Sequence, residues 1–150
     1  MIDEMFTEEE KQAALDQAYR FLNQRFLSSY ELRQKMKRKQ ISSELIDYVE
    51  ERLIYYDDIN DERLAKQVVS YLMREQKYGT FLIKQKMKQR GLDVPRDIEN
   101  YDEMAAAFRI VDKKYGESIS DIPRIKIMNF LKNRGFSMST ITKVCEAYQS

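Results

Sequence analysis

The sequence predicts an all-α protein of three tandem three-helix repeats forming an elongated, curved helical array. Three observations carry that prediction. One stretch recurs: Leu32-Arg33-Gln34-Lys35-Met36-Lys37-Arg38-Lys39-Gln40-Ile41 returns as Ile83-Lys84-Gln85-Lys86-Met87-Lys88-Gln89-Arg90-Gly91-Leu92, and more loosely as Ile127 to Phe136. Anchored on Ile41, Leu92 and Phe136, the spacings are 51 and 44 residues, in the range of stacked repeat units. The apolar residues fall on helical periods, and 34% charged residues with four Gly and two Pro suit charged helices on short connections.

The elements follow in order. Thr7-Glu8-Glu9-Glu10 reads as a capping box, Thr7 and Glu10 each satisfying the other's free amide. It opens a helix whose stripe is Leu15, Ala18, Tyr19, Leu22 and Phe26. A second box, Ser28 to Glu31, opens the next helix, with Leu32 and Met36 inward. Ser42 or Ser43 caps a third, carrying Leu45, Ile46, Val49 and Leu53. In the second repeat Asn60-Asp61-Glu62 starts a helix with Leu64, Val68, Tyr71 and Leu72 on one face. Gly79-Thr80 breaks it, Thr80 caps the recurring stretch, and Gly91 ends that stretch as a C′ glycine. Pro95 begins a short third helix ending near Asn100. The third repeat has the stripe Met104, Phe108 and Val111, ended by Tyr115-Gly116. Pro123 starts its second helix and Gly135 ends it; Ser137 caps a last one with Ile141, Val144 and Tyr148. The expectation is nine helices, three per repeat, over residues 1–57, 58–101 and 102–150. Units of about 45 residues are near the lower limit for folding alone, so neighbours should share buried surface, with Tyr55, Tyr56 and Tyr101 as candidates for it.

Composition narrows the function. There is no His and a single cysteine, Cys145, so an imidazole base, a Cys/His zinc site and an internal disulfide are all excluded. No Gly-rich phosphate loop is present. No cofactor and no catalytic residue is expected. No apolar run approaches about 18 residues, and no apolar stretch follows the acidic start as in a signal peptide, so a cytoplasmic protein without membrane contact is expected.

The net charge of +1 conceals segregation. Residues 31–40 carry +4, 41–64 carry −6, 66–90 carry +6, 93–104 carry −4 and 124–143 carry +5. The positive blocks coincide with the recurring stretch. Its cations are the candidate partner- or nucleic-acid-binding residues: Arg33, Lys35, Lys37 and Lys39; Lys84, Lys86, Lys88 and Arg90; Arg124, Lys126, Lys132 and Arg134. Arg33/Lys37, Lys35/Lys39, Lys84/Lys88 and Lys86/Arg90 each lie one helical turn apart, forming rows suited to phosphates or acidic surfaces. The plainer reading is a solvated helix face with cations favoured near its C-terminus. Asp57, Asp58, Asp61 and Glu62 form an acidic cluster that helix capping accounts for more simply than a divalent metal. Arg25, Ser28 and Glu31 read as cap and dipole complement, Tyr19, Tyr71 and Tyr148 as core, and Tyr78 as a freer aromatic. A freestanding DNA-binding module of helix-turn-helix-like units and a helical scaffold for an unrelated partner both fit these features.

Four stretches resemble the RecX family of regulators of the bacterial recombinase RecA: Arg25 to Leu32, Ile59 to Ala65, Tyr78-Gly79 with Ile83 to Leu92, and Arg134-Gly135-Phe136-Ser137. Their order holds from about residue 13 onward. Gln40 stands where the first repeat often has Gly, and Thr80 where Pro is usual. The resemblance implies a non-enzymatic protein lying in the groove of the RecA–DNA filament, and a monomer is expected. There it would inhibit recombinase, ATPase and coprotease activities or filament extension, in DNA repair, recombination and the SOS response. It also implies that direct DNA contact occurs in some members.

Overall fold

The computed structural model describes residues 2–149. The chain forms α1 (Ile2–Met5), α2 (Glu8–Gln24), α3 (Ser29–Arg38), α4 (Ser43–Tyr55), α5 (Asp61–Glu75) and α6 (Thr80–Gln89). After a 3₁₀ turn at Arg96–Asn100 come α7 (Glu103–Tyr115), a second 3₁₀ turn at Gly116–Asp121, α8 (Arg124–Asn133) and α9 (Met138–Gln149). No strand occurs among the described residues, and the fold is all-α. The nine α-helices among the described residues are reached differently from the expectation. Helix α1 is additional, and the third helix of the middle triplet is a single 3₁₀ turn. Pro95 precedes that turn and Tyr101 leaves it extended, and the Ile98 amide donates to the Pro95 carbonyl and the Tyr101 amide to the Ile98 carbonyl, three residues back in each case, the 3₁₀ pattern.

The chain divides into two compact units. The first comprises the residues up to Leu64 together with Arg90–Leu92; the second comprises Ala65–Gln89 and the residues from Asp93 onward. The first unit's core joins Ala14, Leu15 and Ala18 of α2, Leu32 and Met36 of α3, and Leu45, Ile46, Val49 and Leu53 of α4. Both capping boxes form as read, at Thr7/Glu10 and at Ser28/Glu31, and Ser42 rather than Ser43 caps α4. Helix α1 is tied down by Lys11, whose ammonium pairs with Asp3 and Glu8 at 2.5 Å each and lies 5.6 Å from the centre of the Tyr48 ring. The Asp3 hydrogen bond comes first among the causes that raise the Lys11 pKa. A cation with 4% exposure requires such pairing.

In the second unit Ala106, Ala107, Ile110 and Val111 of α7 pack with Ile127 and Leu131 of α8 and Ile141, Val144 and Cys145 of α9. Ser137 caps α9 through the Thr140 amide. Thr80 does not cap α6: it is the first helical residue, and the Gly79 carbonyl accepts the first turn's bond from Ile83. Helix α5 ends at Glu75, with Gln76 at φ 51°, before Gly79 is reached.

Several stripe assignments shift. Helix α2 ends at Gln24 and Arg25 is extended, which turns Phe26 out to solvent at 70% exposure. Tyr19 is exposed, its hydroxyl donating to Asp58 at 2.8 Å. The buried residues of α5 are Leu64, Ala65, Val69 and Leu72, leaving Tyr71 exposed and bonded to Glu75. Tyr148 does pack on the second core. Tyr55 and Tyr56 are exposed, edge to face with one another.

Each unit contains one clasp in which the N-terminus of a helix abuts a glycine turn far along the chain. In the first unit, Ser28 Oγ accepts from the Glu31 amide and donates to the Arg90 carbonyl. The Ser29 amide donates to Asp61 at 2.9 Å. In the second unit, the Gly79 amide donates to the Arg134 carbonyl at 2.8 Å and the Phe81 amide to Gly135 at 3.1 Å. The Thr80 amide donates to Glu103 at 2.9 Å. Gln40, Gly91 and Gly135 occupy equivalent places in the recurring stretch, and all three have positive φ (62°, 73° and 83°). Side chains press on the two glycines, Tyr30 against Gly91 and Leu82 against Gly135, whereas Gln40 is exposed and tolerates a side chain.

Candidate partner and nucleic-acid interface

The basic rows lie on α3, α6 and α8, the helices that carry the recurring stretch. Leu32 and Met36, Ile83 and Met87, and Ile127 and Leu131 are each fully buried. Their i, i+4 spacing fixes which way each helix faces, and the cations between them take the remaining directions.

On α3 the cations divide. Arg33 is drawn onto α4, its guanidinium 2.8 Å from Asp47 and 3.5 Å from Glu50. Lys35 lies 5.5 Å from the Phe21 ring centre. Lys37 and Lys39 are exposed. On α6 the two rows separate cleanly. Lys84 and Lys88 face solvent. Lys86 lies 4.9 Å from the Tyr78 ring centre, a cation–π contact. Arg90, which closes that row, belongs to the first unit's clasp. It donates to both oxygens of Glu31 at 3.0–3.2 Å and to the Phe26 carbonyl at 2.8 Å. On α8, Arg124 and Lys126 are exposed in the first turn and Lys132 in the last, while Arg134 lies 5.0 Å from the Phe130 ring centre.

The acids are spoken for individually. Asp57 pairs with Arg63 and Asn60, Asp58 receives the Tyr19 hydroxyl and Asp61 the Ser29 amide. Among the described residues no three metal-ligating side chains gather into one group. Two glutamates are held ionised inside the clasps. Burial pushes the Glu31 carboxyl up, but hydrogen bonds from Arg90 and the Ser28 amide outweigh it and leave the group below the ordinary glutamate range. Burial likewise raises Glu103, and donation from Thr140, Thr80 and Ser137 carries it below that range.

A second basic cluster takes only Arg134 from the recurring stretch. Lys77, Arg109, Lys113, Lys114 and Arg134 line one depression with Ile110 and Phe130. Lys114 lies 4.9 Å from the Phe130 ring centre, and Tyr115 meets Phe130 edge to face at 5.9 Å. Only Arg134 was accessible to a motif-based reading. The other cations come from the middle and end of α7 and the loop after α5, and the Lys113-Lys114 pair at a helix end is the one local sign of them.

Sequence models of the RecX first three-helix domain and the RecX second three-helix domain match residues 14–53 and 60–94. Regulatory protein RecX of Chlorobaculum tepidum is 30% identical over 139 residues, covering 89% of this chain and 87% of that protein. Regulatory protein RecX of Clostridium perfringens is 28% identical over 147 residues, covering 91% and 68%. The crystal structure of RecX from Lactobacillus salivarius superposes with a TM-score of 0.74 at 20% identity, over 93% of this chain and 97% of that one; that likeness concerns the fold. No helix among the described residues is long and apolar enough to cross a membrane. Two matched domains along the first two helix triplets, and a relative aligned over most of both lengths, place this chain in the RecX family of regulatory proteins.

Proposed function

We propose that this protein modulates the recombinase RecA by lying, as a monomer, along the groove of the RecA–DNA filament in the cytoplasm. It acts without catalysis, inhibiting ATPase, recombinase and coprotease activity or blocking filament extension, in DNA repair, recombination and the SOS response. Its three repeats, over 1–57, 58–101 and 102–150, each offer one basic second helix to the filament. Family membership supports this reading, and the observation that carries it is the solvent-facing row Lys84–Lys88 on α6. Lys37 and Lys39 on α3, and Arg124, Lys126 and Lys132 on α8, extend it as exposed cations, while Arg33, Lys35, Lys86, Arg90 and Arg134 support the contact surface from within. The test is Lys84→Glu with Lys88→Glu, assayed for inhibition of RecA ATPase on single-stranded DNA. Inhibition should fall about tenfold or more with an unchanged thermal melt, since two charge reversals remove two steering contacts. Full inhibition by the variant removes the row from the interface.

A second reading, direct binding to naked DNA, is favoured by the basic depression between α7 and α8. It predicts affinity that falls steeply with salt in the absence of RecA.

A further inference from the structure

The depression lined by Lys77, Arg109, Lys113, Lys114, Arg134 and Phe130 shares only Arg134 with the recurring basic rows. Each cation has a local reason to be near a helix end. Arg109 donates to the Glu75 carbonyl at the end of α5, Lys113 and Lys114 stand in the last turn of α7, and Arg134 follows α8. The helix dipole accounts for cations at each separate terminus. It does not account for five sharing one concavity, where like charges repel. Glu75, the acid beside them, is already engaged by Tyr71 and Lys77.

The chemistry identifies the occupant. Lys77 is paired with Glu75 at 3.3 Å, and the other four cations still call for several negative charges. Four of the five, Lys77, Arg109, Lys113 and Lys114, are exposed, so the site is open, whereas small-ligand sites enclose most of their ligand. The aromatic floor does not serve as a base-stacking platform, because Phe130 is already covered by Lys114 and Arg134 at 4.9 and 5.0 Å and edged by Tyr115. The ring instead holds two cations in place. We infer that this depression is a binding site for the phosphodiester backbone of a nucleic-acid strand, taken without regard to base identity. The inference deepens the DNA-binding reading above and rests on it.

The test is fluorescence anisotropy of a labelled thirty-residue oligothymidylate across a salt series, without RecA. The variant is Arg109→Glu with Lys113→Glu, which leaves the Lys114–Phe130–Arg134 stack intact. Its affinity should fall about tenfold or more, and its log K against log salt should become shallower by roughly 1.4, as expected for two lost single-strand phosphate contacts. Arg96→Glu with Lys143→Glu, an equal charge change at two exposed cations of the same unit outside both the depression and the basic rows, should cost less than about threefold. Lys113→Gln alone, should the double variant not fold, should shift the slope by roughly half as much. An oligothymidylate and an oligouridylate should compete equally, and poly-glutamate of matched charge weakly. Equal losses in both double variants overturn the site, as do an unchanged slope, effective competition by poly-glutamate, or a wild-type chain that retains no oligonucleotide. Inhibition of RecA ATPase, measured in parallel, reports the regulatory reading separately, so a chain that inhibits RecA yet ignores the oligonucleotide sinks the nucleic-acid site in the depression alone.

Discussion

In the first unit's clasp Ser28 keeps a side chain against the turn at Arg90, and that side chain both caps α3 and donates to the turn. In the second unit's clasp Gly79 holds the equivalent place, and its backbone lies directly on Gly135. The partner chemistry changes with it. Glu31 grips Arg90 in the first clasp; in the second Leu82 stands at the corresponding position, and Arg134 finds no carboxylate there. It turns to the Phe130 ring instead. The carboxylate of the second clasp, Glu103, reaches hydroxyls and an amide, at 2.6 Å from Thr140, 2.9 Å from Ser137 and 2.9 Å from Thr80. One backbone plan is thus closed by charge in one place and by close packing in the other. The difference sets Arg90 to closing its clasp through Glu31 and leaves Arg134 on the face of Phe130.

Breaking the glycine clasp should have the largest effect. A methyl group at Gly79 would overlap the Gly135 carbonyl and the Phe136 amide, and neither is a flexible side-chain end. Gly79→Ala should therefore destabilise by about 3 kcal/mol, at the upper end of overpacking costs. Ser28→Ala, at the equivalent place, should cost about 1–2 kcal/mol through loss of the cap and the donor. Urea unfolding with unchanged m would read both, and equal costs would show that the two clasps do not differ as described.

The arginines sharpen the contrast next. Arg90→Ala leaves Glu31 partly buried without its partner and should cost about 1–3 kcal/mol. Arg134→Ala removes a surface cation–π contact and should cost about 0.5–1 kcal/mol. Reversal of that order in urea melts would deny the unequal use of the two residues.

The smallest effect concerns pH. Glu31 and Glu103 both have folded pKa values below the ordinary one. The stability they contribute is complete above the unfolded value, about 4.3, and is lost as pH falls through the lower folded values. Thermal midpoints should hold above about pH 5 and fall below about pH 4. Glu103→Gln should flatten that fall in part, and Glu31→Gln should do so as well. A wild-type midpoint that rises on acidification would contradict the sign.

The sequence alone determined most of the helices, the caps at Thr7, Ser28, Ser42 and Ser137, and the repetition. These follow from short-range physics: Thr7/Glu10 and Ser28/Glu31 close capping boxes three residues apart, and Leu32/Met36 or Ile83/Met87 define an inward face four residues apart. Where local signals competed, reading along the chain missed. The stripe through Tyr71 was offset from the buried positions of α5, and Pro95 opened a 3₁₀ turn rather than a helix. The tertiary structure alone decided which cations are free. Arg90 meets Glu31 across 59 residues, and Arg134 joins Lys77 and Lys114 from separate elements. A charge is bound or available according to what the fold brings within about 4 Å of it, and no periodicity in the chain encodes that distance.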